Sequence, residues 1–458
     1  AQRGDLLRGL SKALRDHRDE LLDLSARQTG TTRPDGAFDI DGAAGTLAYY
    51  GGLARGLGDR PHLIDGDGVQ MAKTEAFYGR HALVPRLGVA VHVNAFNFPV
   101  WGFAEKAACA LLAGMPVITK PATSTAGVTE RAVEILLAIG LLPEGSLQLI
   151  CGSTGDLLDR LGSQDVFAFT GSATTASALR GRANLLASST RINVEADSLN
   201  AAILGPGITE GPVWDLFLRD VVREMTQKSG QKCTAVRRIL VPKGSFIAAG
   251  EALAGRLASV VSGNPTYPAT TLGPLATSAQ LAAAVAGVAS LRGSTRLLSG
   301  RGARVDGSGS PKGKGFFFAP TLLGADDARA AGVVHEVEVF APVATLLPYD
   351  GSAADAAGIV ALGGGTLVTS AYSDDAAWCA ELLVLAGATT GRIYFGSEDS
   401  AAEAPGSGVA MPHCLHGGPG RAGGGAELGG LRGLELYLQR VAVQGSRGLV
   451  DGLIGGAG

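Results

Sequence analysis

The sequence predicts an α/β fold, built from a Rossmann-like unit, a second α/β unit and a small β element. Three observations carry this. From Leu87 onward, short β-branched runs alternate with helix-periodic runs, the pattern of βαβ units around a parallel sheet. The alternation restarts after about Ile203. The chain has 458 residues, of which 46% are hydrophobic, and that is more than one core usually holds.

The elements follow in order. Asp5 to Leu24 alternates charged and apolar residues at helical spacing, and Asp41 to Ala54 reads as another helix. Pro61 to Pro85 holds short mixed runs that read as a hairpin excursion. Strands are expected at Leu87 to Val93, Val117 to Thr119, Leu147 to Ile150 and Val166 to Phe169. Helices are expected between and after them, at Gly102 to Leu112, Gly127 to Ile139, Asp156 to Leu161 and Ala173 to Arg182. In the second unit, Trp214 to Thr226, Phe246 to Val261 and Ser278 to Leu291 have helical periodicity. Arg238 to Val241, Phe316 to Leu323 and Ala344 to Leu347 read as strands. Gly300 to Lys314 and Ser397 to Gly425 are Gly-rich loops, and Leu436 to Gln444 is strand-like.

Composition excludes several function classes. A formal net charge of -3 gives no basic footprint for nucleic acid or an anionic membrane. No uncharged apolar stretch is long enough to span a bilayer. Five scattered cysteines without a CxxC pair argue against a disulfide framework or a zinc site, and they suit a reducing, cytoplasmic setting. No metal is expected, because the seven histidines show no ligand spacing. The chain opens at Ala1 in a helix-like pattern without a signal peptide, and the missing initiator Met implies a native segment ahead of it.

Several residues have the chemistry of a site. Cys233, in Gly230-Gln231-Lys232-Cys233-Thr234, follows a helix and a turn-forming Gly. It reads either as a nucleophile or as a small buried hydrophobe. Glu195 ends a strand-like run and can serve as a general base, with Asp197 a rival in the same turn. Asn97 follows a strand, where its amide can donate to an oxyanion or simply make a turn. Lys120 and Thr123 follow a strand, at the place where open α/β sheets bind ligands. Gly171 and Ser172 lie between a strand and a helix, where backbone N–H groups can face an anion. Gly418 to Gly423 matches GxGxxG literally, but it follows no strand and contains Pro419, so it reads as a structured loop.

Taken in order, these segments resemble the aldehyde dehydrogenase superfamily over nearly the whole chain. The resemblance rests on Asn97-Phe98-Pro99, Lys120-Pro121-Ala122, Phe169-Thr170-Gly171-Ser172, Glu195, Gly230-Gln231-Lys232-Cys233 and Glu338-Val339-Phe340-Ala341-Pro342-Val343. It implies that Cys233 attacks the aldehyde, that Asn97 stabilises the oxyanion, and that Glu195 activates the water that releases a free acid. Members that pass the acyl group to coenzyme A generally lack such a Glu. The resemblance also implies that Lys120, Gly171, Ser172, Glu338 and Phe340 hold the cofactor. Thr123 stands where many NAD-preferring members have Glu, which points to NADP, with NAD the weaker alternative.

Departures from the common pattern include Ala95-Phe96 before Asn97, Ala196-Asp197-Ser198-Leu199 after Glu195, and Ala341 before Pro342. With His416-Gly417-Gly418-Pro419-Gly420-Arg421-Ala422-Gly423-Gly424-Gly425, they resemble a bacterial subgroup that acts on semialdehydes carried on coenzyme A thioesters. Its members serve phenylacetate ring cleavage and aerobic benzoate degradation. Since no hydratase domain accompanies this chain, the benzoate role is favoured. The implied architecture has a cofactor domain over residues 1–60 and 86–198 and a catalytic domain over 199–412. An oligomerisation element over 61–85 and 434–447 implies a homodimer, with a tetramer as the alternative. An acylating enzyme running in reverse and a non-catalytic descendant are the rivals.

Overall fold

A computed structural model describes residues 1–454. The first helical run is interrupted at His17, whose φ of -104° and ψ of 17° end helix Gln2–Asp16 before helix Arg18–Thr29 begins. The break lets both segments pack on the long helix Arg33–Leu57 and on Ala126–Ala138, while the first also meets Trp101–Ala113. The long helix starts eight residues before the expected Asp41. Thr32 caps it by accepting from Asp35 N, and Pro34 sits in its first turn.

The excursion is a hairpin, β1 (Leu63–Gln70) with β2 (Tyr78–Pro85), paired antiparallel. Next comes a five-stranded sheet of β3 (Ala90–Val93), β4 (Val117–Lys120), β5 (Leu147–Leu149), β6 (Val166–Thr170) and β7 (Arg191–Glu195). Its order is β5-β4-β3-β6-β7 and every pairing is parallel. The chain leaves β3 in one direction and returns to β6 on its other side, so the topological switch point lies between these two strands. The expected strand at Leu87 pairs only from Ala90, because Leu87 is almost fully exposed and precedes Gly88. The expected helix at Asp156 to Leu161 shrinks to one 3-10 turn, Leu157–Arg160.

The second sheet contains β8 (Ala201–Leu204), β9 (Arg238–Pro242), β10 (Arg296–Ser299), β11 (Thr321–Gly324), β12 (Val343–Tyr349), β13 (Thr366–Tyr372) and β14 (Thr390–Gly396). Its order is β10-β11-β12-β9-β8-β13-β14, and all pairings are parallel except β10 with β11. The strand expected from Phe316 begins only at Thr321, since Pro320 has no N–H for a ladder. A small hairpin, β15 (Leu415–Gly417) with β16 (Ala426–Leu428), contains the literal GxGxxG segment as its connection. Finally β17 (Leu438–Gly445) returns to β2, giving a three-stranded sheet in the order β1-β2-β17. Among the described residues, no helix is long and apolar enough to cross a membrane.

A buried cation ties the second sheet to its helices. Arg238, at the start of β9, is fully buried and donates to Leu199 O, Ile359 O and Val360 O at 2.7–3.0 Å. Burial pushes its guanidinium below the usual arginine range, so these carbonyls are what make its position tolerable. Replacing it by Met removes every one of these donors. A carbonyl left without a donor costs ~1–3 kcal/mol. Arg238→Met should therefore lower stability by about 2 kcal/mol or more, read as a reduced urea midpoint; an unchanged midpoint would show that other donors serve these carbonyls.

Candidate active site

The carboxyl ends of β3, β4, β6 and β7 point into one region, and they bring Asn97, Lys120, Gly171, Ser172 and Glu195 together. Cys233 reaches the same region from the second unit. After helix Gly211–Thr226 the chain turns through Lys228, Ser229 and Gly230 with φ of 55°, 58° and 68°. Two of these are non-glycine residues in the left-handed region, a costly arrangement that persists only when neighbours impose it. The neighbours are identifiable. Ser229 Oγ donates to Gly273 O at 2.9 Å, and Arg237 donates to Gly230 O at 2.9 Å and to Ala341 O at 2.8 Å. A Cβ on Gly230 would lie 2.3 Å from the Ala341 carbonyl carbon. Asn200 Nδ2 then holds Cys233 O at 2.7 Å, which aims the thiol at Glu195.

The two acids differ in their partners. Asp197 Oδ1 accepts from Ala173 N at 2.9 Å and so caps a helix. Glu195 is buried and faces Cys233 and His416, which the sequence marked only as part of a subgroup motif and gave no role. His416 Nε2 lies 3.2 Å from Glu195 Oε2 and 3.9 Å from Cys233 Sγ. His416 sits on β15 opposite Glu427 on β16. A second buried group adjoins it: Lys106 Nζ lies 3.0 Å from Glu105 Oε1 and 3.0 Å from Glu427 Oε2. One sequence signal for this group existed, a Lys in the middle of the apolar helix Trp101–Ala113, since a buried cation needs a partner. The signal at His416 was its place at the head of the Gly-rich motif His416 to Gly425, which says nothing of its partners.

The Gly-rich stretch has a packing reason. Gly425 N donates to Val194 O at 3.0 Å, and Ala196 N to Ala422 O at 3.0 Å. A Cβ on Gly423 or Gly425 would come within 2.4 Å or 2.3 Å of Val194 O. Only residues without a side chain let this hairpin lie on β7 closely enough to put His416 against Glu195.

Burial pushes the Glu195 carboxyl upward, but the charge and hydrogen bond of His416, helped by Lys106, outweigh it and hold Glu195 ionised. In return, and against its own burial, His416 is raised above the usual histidine value by Glu195. The Cys233 thiol is pushed well up, first by burial and then by the Glu195 charge.

Two spaces meet at Cys233. On one side is a cavity of about 50 Å³, walled by Phe38, Phe98, Trp101 and Asn97. Phe38 and Trp101 also border an outer space of about 490 Å³ with Tyr49 and His413. On the other side is a cleft of about 590 Å³, lined by Lys120, Gly171, Ser172, Glu338 and Phe340. Ser172 Oγ caps helix Ala173–Arg180, whose N-terminus opens on this cleft. A Cβ at Gly171 would lie 2.5 Å from the Phe169 ring, so a glycine is needed there. Glu338 is not free: Oε2 accepts from Ser198 N at 3.1 Å and Oε1 lies 3.4 Å from Arg237 Nε. Burial raises its carboxyl to about 7, against the pull of Arg237. Thr123 is the exception among the expected cofactor residues. It is exposed at the start of the 3-10 turn Thr123–Thr125, next to Ala122 on the cleft wall but not itself on that wall.

The profile of the aldehyde dehydrogenase family matches residues 1–441. The chain belongs to the aldehyde dehydrogenase family. It is 45% identical over 419 residues to the 3,4-dehydroadipyl-CoA semialdehyde dehydrogenase of Aromatoleum evansii, covering 91% of this chain and 81% of that one. It is 27% identical over 353 residues to a betaine aldehyde dehydrogenase of Vibrio vulnificus, covering 76% and 68%. The solved betaine aldehyde dehydrogenase of Staphylococcus aureus in complex with NAD+ matches with a TM-score of 0.82 at 23% identity, over 97% of this chain and 82% of that one. The α/β aldehyde dehydrogenase fold expected from the sequence is thus the fold of this chain.

The electrostatics of this aldehyde dehydrogenase give a pH prediction. The Glu195 anion is one of the two main causes that hold the Cys233 thiol up. Glu195→Gln removes that cause, so the pH midpoint for alkylation of Cys233 by iodoacetamide should fall. Mass spectrometry of the Cys233 peptide reads it, and a midpoint that stays or rises would contradict the assignment.

Proposed function

We propose that this chain oxidises a coenzyme A-linked semialdehyde to the carboxylic acid, with 3,4-dehydroadipyl-CoA semialdehyde as the favoured substrate and NADP as the favoured oxidant. One observation carries the chemistry: Cys233, Glu195 and Asn97 converge on one cavity between a cofactor-sized cleft and an apolar passage. The passage walls, Phe38, Phe98 and Trp101, suit the methylene chain of a semialdehyde, and the outer space leaves room for a long substituent. The 45% identity to the Aromatoleum evansii enzyme supports the same substrate class.

In this reading the Cys233 thiol loses its proton to Glu195 and attacks the carbonyl carbon, giving a thiohemiacetal. Asn97 Nδ2 and the Cys233 backbone N–H hold the oxyanion. NADP, when bound in the cleft, supplies the hydride acceptor. Lys120 and the N-terminus of helix Ala173–Arg180 hold its phosphates, and Glu338 and Phe340 its nicotinamide end. Glu195 then removes a proton from water, which hydrolyses the Cys233 thioester. Two copies are proposed to join along the free edge of β17, an unpaired strand edge of the type that seeks a partner.

NAD is the second reading for the cofactor, favoured by the position of Thr123 off the cleft wall. Reduced-cofactor formation, followed by nicotinamide absorbance, separates the readings. Strong NADP-dependent turnover of the thioester-linked six-carbon semialdehyde, beyond that of a free alkanal, is expected. Preference for the free aldehyde would remove the substrate assignment. Cys233→Ala should abolish turnover, and a retained rate would remove the mechanism. Thr123→Glu should shift preference toward NAD, since a carboxylate there repels a 2′-phosphate; an unchanged ratio would take Thr123 out of cofactor choice.

A further inference from the structure

Oxidising an aldehyde with water and a nicotinamide releases at least one proton per turnover, and here the base that collects it is buried. Glu195, Cys233 and His416 all lie inside, so the proton needs a way out. His416 forms the wall between two spaces. On one side is the cavity that holds Cys233 and Glu195. On the other is an open cavity of about 410 Å³ lined by glycines of the β15–β16 hairpin, among them Gly417, Gly418 and Gly425. Nε2 of the ring faces the acid at 3.2 Å. Nδ1 is buried and has no hydrogen-bond partner within the protein.

We propose that His416 is the proton-transfer residue of this site, its charged ring releasing the Nδ1 proton toward water in the glycine-lined cavity and then being recharged from Glu195. The step balances. The ring starts charged, with Nε2–H on the Glu195 carboxylate, and its Nδ1–H bond breaks as that proton passes to water. The S–H bond of Cys233, or an O–H bond of the attacking water, breaks as an O–H bond forms on Glu195. The neutral ring turns its bare nitrogen to Glu195, that O–H bond breaks as the new N–H bond forms, and the charged ring is restored with no oxidant beyond the nicotinamide consumed. This rests on the reading of Glu195 and Cys233 given above.

The charged groups around His416 fit this role. Glu195 on β7 draws a proton onto the ring, Glu105 on helix Trp101–Ala113 adds to that pull, and Arg392 on β14 opposes it. Glu427, opposite His416 on β16, is already engaged with Lys106 and with Asn193 Nδ2 at 2.9 Å. Lys106 is held above the usual lysine value by its acidic neighbours despite burial, so it keeps its proton. Glu105, which burial raises to about 7, is also close to Glu195, but His416 is the titratable group of this cluster that lines the outer glycine-lined cavity as well.

His416→Gln tests this, since an amide can keep the hydrogen bond to Glu195 but cannot carry a proton through. At pH 7, kcat should fall by about a hundredfold, the lower end of the range for loss of a proton-transfer group, while KM for the aldehyde stays close to wild type. Imidazole in the buffer, small enough for the glycine-lined cavity, should restore the rate of the variant in a saturable way without accelerating wild type. An unchanged kcat, or a lost kcat that imidazole does not raise, would overturn the proposal. If that variant does not fold, Ala426→Trp serves instead. Ala426 is exposed and lines the outer cavity, so a large ring there should plug it and lower kcat. A plugged variant with full kcat would equally overturn the route. Turnover by Cys233→Ala would sink the underlying mechanism; an inactive Cys233→Ala beside a fully active His416→Gln would sink only this proposal.

Discussion

A carboxylate buried at the end of a strand is the constraint around which the rest is arranged. Glu195 has almost no contact with solvent, and burial alone would drive a proton onto it. The imidazole of His416 and the charge of Lys106 keep it ionised instead. Both partners come from far along the chain, one on the Gly-rich hairpin and one on an apolar helix. Each needs its own support, and this chain of requirements reaches through both units. Lys106 requires Glu105 and Glu427, and Glu427 requires Asn193 on the same strand as Glu195.

Cys233 is placed by a different kind of cost. The Lys228-Ser229-Gly230 turn holds three consecutive left-handed residues. It persists because Arg237, Ser229 and the Ala341 backbone leave it no relaxed alternative. Arg237 also reaches Glu338, so the turn behind the thiol and the acid on the cleft share one guanidinium. The Cys233 turn and the cleft wall are thereby coupled through one buried guanidinium.

Much of the architecture was legible because it depends on local periodicity. The strands that feed the switch point, the hairpin excursion and the closing strand all appear near their expected places. The misses have local causes. β13 is buried along its whole length, so it shows no alternation of polar and apolar residues. The early start of helix Arg33–Leu57 was written in Thr32 and Pro34, a capping signal set before a run with little amphipathic contrast. The break at His17 has no comparable local marker, since each half continues the same spacing.

The sequence by itself determined which residue types stand at the strand ends, and their order is specific enough to identify the family. It marked Cys233, Glu195 and Asn97 because each lies beside a turn or a strand end, where short-range rules apply. Only the tertiary structure decided that Asp197 caps a helix while Glu195 faces the thiol. Only it brought His416 across 183 residues to within 3.9 Å of Cys233. The physical reason is that ionisation and proton transfer depend on burial and on charges within a few ångströms. Those distances are set by how closely glycines let one backbone approach another.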